Sequence, residues 1–328
     1  MEYAFVVRCA GGYGEVRVRN SGEVVVTAGS TEWVVLDGIS FPSEDYAHRP
    51  GPPRLDVARI NAADLGRNHE QQTLLFHYPR SPTALDYILK DGRLRMSPYS
   101  TTNDPRESKE WLFALYCGTE SAPAGASITI SMQLSAELKR DCRLSCFCSE
   151  SVPRVAGPAL PASTAWGRAR MWAQYGDSHR GVVLVFNQDA LLRNAATALD
   201  SRGSIYYGPV EYSRPRDAGD MHAFLIDYDR WRSIPVGQYA SEHLAQHRAW
   251  LFFTKHADWL QESEGRLVLY SNTPGDAYVP IVGALMEVCI GDSFPDARLE
   301  ECRRLAGEHG ASVSRITWRN GTAIRVPA

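Results

Sequence analysis

The spacing of apolar and polar positions divides the chain into a short β-rich beginning and a longer mixed part. Tyr3–Arg8, Glu15–Arg19, Glu23–Thr27 and Glu32–Leu36 are alternating or β-branched runs separated by Gly-rich turns. That pattern predicts short strands. The stretch Pro42–Arg54, with Pro42, Pro50, Pro52 and Pro53, predicts a linker or extended loop. Residues 1–66 are therefore expected to form a β-rich segment or subdomain, and residues 67–328 the main domain.

In the main part, Thr73–Tyr78 predicts a strand. Pro82–Lys90 predicts a helix, with Leu85, Ile88 and Leu89 on one face and Asp91-Gly92 as its stop. Arg93–Ser97, Ser127–Leu134, Arg143–Cys148, Gly181–Phe186 and Ile205–Tyr212 predict strands. Asn103-Asp104-Pro105 is a turn or helix start. Arg168–Tyr175 and Tyr239–Phe253 predict helices. The end runs strand, helix, strand, strand over Val282–Ile290, Asp296–His309, Val313–Trp318 and Ala323–Val326. Residues 151–165, rich in Pro, Ala and Ser, predict a mobile insertion. The sum is an α+β fold with mixed or antiparallel sheets and flanking helices. Neither an internal repeat nor a doubly wound alternation of strand and helix is present.

Composition narrows the function classes. The 328 residues carry a net charge of −3, which argues against a broadly basic nucleic-acid surface. Seven cysteines, several inside apolar runs, suit reduced thiols in the cytoplasm. The start MEYAFVVRCAGGYGEV lacks the basic-then-apolar pattern of a secretion signal. No run approaches the roughly 18 apolar residues of a membrane span. A cytoplasmic, non-membrane protein is the expectation. The phosphate loop GxxxxGK[ST], GxGxxG after a strand, HExxH and GxSxG are all missing. Cys146-Phe147-Cys148 has no second ligand pair at zinc spacing, so no metal site is expected.

Three constellations remain. His77 ends the run Leu74-Leu75-Phe76-His77-Tyr78; it is either a core histidine bonded to a carbonyl or a ligand contact. Met171, Trp172 and Tyr175 share a helix face, either as an aromatic stripe on the sheet or as a stacking platform with Tyr175 at the helix end. Glu262 and Glu264 stand two apart before a strand and point the same way if strand pairing extends back. Like charges that close raise one carboxyl pKa, and Arg266 on the same face is placed to hold one of them ionised. The alternative is a solvated salt-bridge edge.

These residues resemble a bacterial family, domain-of-unknown-function family 2971. The shared features are His77-Tyr78, Leu85–Leu89, Leu94–Ser97, Asn103-Asp104-Pro105 and Cys146-Phe147-Cys148-Ser149. They continue through Met171-Trp172, Tyr175 and Arg180-Gly181 to Lys255, Trp259, Glu262, Glu264 and Arg266. The resemblance runs from about residue 72 to 328. More distantly, the order His, Tyr, Glu is similar to the His-Tyr-Glu class of ADP-ribosyltransferases. That similarity implies an ADP-ribosyltransferase-like core and an enzyme with NAD as its substrate. His77 would hold a ribose hydroxyl, with Tyr78 and Arg266 in the NAD-binding set. Tyr175, or Trp172 in its place, would stack on nicotinamide. Glu264, or else Glu262, would stabilise the developing oxocarbenium ion. ADP-ribose would pass to a protein or nucleic-acid acceptor, in the setting of a toxin or phage-defence effector. NAD hydrolysis without an acceptor, and a sensing module that binds without turnover, are the alternatives.

Overall fold

A computed structural model describes residues 3–9, 12–18, 24–28, 31–36, 39–42, 58–60, 71–117, 122–153, 165–213 and 222–328. Most of the expected linker at 42–54, and residues 154–164 of the expected insertion, lie outside these. The chain separates into two compact units. The smaller takes in residues 1–54, 111–135 and 214–250, and the larger residues 55–110, 136–213 and 251–328.

The larger unit is built on an eleven-stranded, mostly antiparallel sheet. Near its middle lies Val182–Asn187, whose first five side chains are all buried. A strand apolar at every position is covered on both faces. Val182, Leu184 and Phe186 enter one core and Val183 and Val185 the other. The first core is closed by the helices Gln188–Leu199 and Leu299–Glu308 and by the helical run from Ser81 to Leu89. The second packs under the short helix Ala169–Gln174, with Trp172 at its middle.

Three antiparallel strands carry the site. Cys142–Pro153 pairs with Glu264–Tyr270 on one side, matching Cys146 with Arg266 and Cys148 with Glu264. On the other side it pairs with Gln71–His77, matching Cys148 with Phe76. Gln71–His77 in turn pairs with Val182–Asn187. The only parallel pair in this sheet, among the described residues, joins Leu285–Ile290 to Ser312–Arg319.

The α+β reading holds, and most expected elements are present. The helix over 82–90 contains a π-helical stretch at Ala84–Leu89, and the helix Gln188–Leu199, capped by Asn187, was not expected. One element is reversed in kind. Residues 127–134, expected as a strand, lie within the helix Ala126–Arg140. The run Ser-Ile-Thr-Ile-Ser-Met-Gln-Leu alternates, but it also repeats every four residues, and that period wins. Ile130 and Leu134 are buried, while Ile128 and Met132 on the other face are exposed. Serines at the same spacing serve the neighbouring extended chain. Ser127 Oγ donates to Phe113 O at 2.7 Å, and Ser131 and Ser135 Oγ accept the N–H groups of Phe113 and Trp111.

The smaller unit contains a five-stranded antiparallel meander, Tyr3–Cys9, Gly12–Val18, Val24–Ala28, Thr31–Leu36 and Ile39–Pro42. No helix among the described residues is long and apolar enough to cross a membrane.

Candidate functional site

A cavity of 750 Å³ opens in the larger unit, within the range of small-molecule pockets. His77, Tyr78, Tyr175, Glu262 and Glu264 all line it. They arrive from a strand end, a helix end and the turn before a strand, brought together by the pairing described above.

Glu262 and Glu264 face the same interior, for a reason other than strand alternation. Glu264 opens the strand Glu264–Tyr270, whereas Glu262 ends the 3₁₀ turn Ala257–Glu262. Between them Ser263 takes a left-handed conformation (φ 44°), and this reversal turns both carboxylates inward.

The two carboxylates do not confront each other as an unscreened pair. Lys255 Nζ lies 2.9 Å from Glu262 Oε2 and 2.6 Å from Glu264 Oε2. Arg266 Nε donates to Glu264 Oε1 at 2.7 Å, and another guanidinium nitrogen lies 2.6 Å from Glu107 Oε1. Of the two carboxylates, Glu264 is the one that these cations hold ionised. Burial pushes its pKa up, but Arg266 and Lys255 outweigh burial and hold it at about 2. The site is a buried chain of alternating charges, Glu262, Lys255, Glu264, Arg266 and Glu107. It is not a solvated edge, since none of these side chains is more than 8% exposed.

Tyr175 caps the chain by donating its hydroxyl to Glu262 Oε1 at 2.8 Å. Burial, then the Glu262 charge, raises its pKa well above the usual phenol range, so the hydroxyl keeps its proton. His77 Nδ1 lies 3.0 Å from Cys146 O. A carbonyl only accepts, so Nδ1 carries the proton. Burial lowers the His77 pKa, and the neutral ring is left with an acceptor lone pair on Nε2. Cys146 also lines the cavity; burial and the neighbouring Glu264 raise its pKa and hold it as the thiol.

The remaining expected site residues are placed differently. Tyr78 lines the cavity but spends its hydroxyl on Ala165 O and packs edge-on against Trp172. Trp172 is fully buried in the second core and gives its indole N–H to Trp166 O at 2.7 Å, away from the cavity wall. Arg266 stands behind Glu264. Three further charged residues line the cavity: Glu107, which the sequence did not single out, Lys255, which it named only within the family resemblance, and Asp104, which it named there and as part of a turn. The signal for Asp104 was the Asn-Asp-Pro turn itself: Asp104 Oδ1 accepts Arg106 N–H at 2.9 Å and starts the helix Pro105–Ser108. Among the described residues no group of His, Cys, Asp and Glu is arranged to hold a metal ion.

No curated protein and no solved structure matches the chain. Residues 171–267 match the family model described as Protein of unknown function (DUF2971), a span that includes Met171, Tyr175, Lys255, Glu262, Glu264 and Arg266 but neither His77 nor the Asn103–Pro105 turn.

Proposed function

We propose that this cavity binds NAD and cleaves the bond between nicotinamide and ribose, passing ADP-ribose to a macromolecular acceptor. The observation that carries the reading is the convergence of His77, Tyr175, Glu262 and Glu264 on one cavity. Each has chemistry suited to the step. The neutral His77 ring accepts a hydrogen bond from a ribose hydroxyl. The Tyr175 ring gives the nicotinamide cation an aromatic face. As the bond breaks, nicotinamide leaves with the electron pair and positive charge grows on the ribose. A carboxylate that stays ionised at neutral pH stabilises that charge. The acceptor then adds through its lone pair and releases a proton.

The test is nicotinamide release from NAD by the purified protein, with and without cell lysate. Glu264→Gln and Tyr175→Phe run alongside, with circular dichroism confirming that each folds. Release by the wild type that drops about a hundredfold or more in Glu264→Gln supports the reading, by analogy with loss of one preorganised electrostatic group. Dependence on lysate marks a transferase, and release without it marks a hydrolase. No release and no NAD binding by the folded wild type removes the proposal.

One observation favours a second reading, a pocket that binds without turnover. Both oxygens of Glu262 and of Glu264 already face Tyr175, Lys255 or Arg266. NAD binding with no nicotinamide released would establish that reading.

A further inference from the structure

The cavity wall carries more carboxylate than its cations neutralise. Arg93 pairs with Asp91 at 3.4 Å and Arg95 with Asp276 at 2.9 Å near the exposed rim. Lys255 is shared by Glu262 and Glu264, and Arg266 by Glu264 and Glu107. Asp104, which also lines the cavity, is left over.

Asp104 is only 4% exposed. Its Oδ1 caps the helix Pro105–Ser108, while its Oδ2 has no hydrogen-bond partner among the described residues. On the same short helix, Glu107 is 1% exposed. Its Oε2 also makes no hydrogen bond, and its Oε1 meets Arg266 without hydrogen-bond geometry. His77, lining the same cavity, presents an acceptor at Nε2 because Nδ1 is committed to Cys146 O. Buried acceptors in native proteins find donors. A donor on an occupant of the cavity would satisfy them, and surplus negative charge selects a positively charged one. An anion or a carbonyl set against Asp104 would be repelled, and no metal-holding group is found among the described residues.

We propose that the Asp104–Glu107 wall is a subsite for an organic cation bearing N–H donors, a guanidinium or primary ammonium group held by Asp104 Oδ2. Glu107 supplies further negative potential and His77 a neutral acceptor. The subsite does not depend on NAD cleavage.

Calorimetry with butylguanidine, butylamine and the neutral isostere N-butylurea tests it. Wild type and Asp104→Asn are compared, since asparagine keeps the capping oxygen while neutralising the group. The cations should bind to the wild type about tenfold or more tightly than the urea, and Asp104→Asn should lose about that factor, as expected for one charge-assisted hydrogen bond. The better of the two cations assigns the head group. Should Asp104→Asn fail to fold, Asp104→Ser, which also caps a helix, replaces it. Equal binding of the urea, no cation binding by folded wild type, or unchanged cation binding in the folded Asp104 variant each overturns the proposal. Nicotinamide release on the same preparations separates this result from the NAD reading: cation binding without NAD cleavage leaves the subsite standing, and the reverse leaves NAD cleavage standing.

Discussion

Lys255 bridges two buried carboxylates, Glu262 and Glu264. Its ammonium is 8% exposed and lies within 3 Å of both. Removing one member of a buried charge cluster leaves the others unpaired in a medium that solvates them poorly, at a cost of about 3–5 kcal/mol. Lys255→Met is therefore expected to lower unfolding free energy in urea by about that amount, while Lys255→Arg loses much less. Adding Glu262→Gln to Lys255→Met should recover part of the loss, because the second change removes one of the stranded charges. A Lys255→Met protein within about 1 kcal/mol of wild type would show that the cluster is solvated after all. At this scale the sequence announced Glu262, Glu264 and Arg266 through their spacing of two. Lys255 appeared only within the family resemblance, and its pairing with both carboxylates was not announced, because it depends on the left-handed Ser263 reversing the chain, and nothing about a serine requires that conformation. Tyr175 was visible as a helix-end aromatic. Its hydrogen bond to Glu262, 87 residues away, was not.

Among the elements, the strand Val182–Asn187 was legible because an unbroken apolar run has few places to go but a doubly covered sheet centre. The helix at 126–140 was not, because alternation and a four-residue repeat coincide in the same eight residues and only packing separates them. Where strands meet tightly, glycine is the readable mark. Gly181 sits between the end of Gln71–His77 and the start of Val182–Asn187, where Val182 N donates to Pro79 O at 3.1 Å. A Cβ there would lie 2.6 Å from Pro79 O and 2.9 Å from the Gly176 backbone, so backbone has to move. Gly181→Ala should cost about 1–3 kcal/mol, as overpacking does. Gly307, inside the helix Leu299–Glu308, meets nothing within 4 Å, and Gly307→Ala should stabilise by about 0.5–1 kcal/mol. Thermal unfolding of the two variants checks the pair. If they shift Tm in the same direction, the close approach at Gly181 is not what fixes its identity.

Across the whole molecule, the strand-rich beginning was legible from its Gly-spaced alternation. The grouping of residues 111–135 and 214–250 with residues 1–54 was not, because it rests on contacts between segments far apart in sequence. The two units also differ in the groups that set their response to acid. In the smaller unit His243 is buried against Tyr239 and Phe113, with His247 beside it, and Nε2–H donates to Ala223 O at 2.9 Å. Burial lowers its pKa from 6.5 to about 4. The unfolded chain takes up that proton near pH 6.5 and the folded unit does not, so the associated stability is whole above about 6.5 and drains away as pH falls toward 4. In the larger unit Glu264 is held at about 2 against an ordinary 4.5, so its contribution is intact above about 4.5 and lost as pH falls toward 2. His77, whose pKa burial also lowers from 6.5, adds a histidine window to the larger unit, so what distinguishes the smaller unit is that its loosening between about pH 6.5 and 4 runs through His243. Trp231, 5.2 Å from the Tyr239 ring that stacks on His243, reports on it, and Trp259, over Lys255 at 5.4 Å, reports on the larger unit. Fluorescence differences between wild type and Trp231→Phe or Trp259→Phe during acid titration in moderate urea should resolve the two signals, with the window between about pH 6.5 and 4 at Trp231 removed by His243→Phe. A Trp231 transition untouched by His243→Phe would show that the buried histidine does not govern the acid response of its unit.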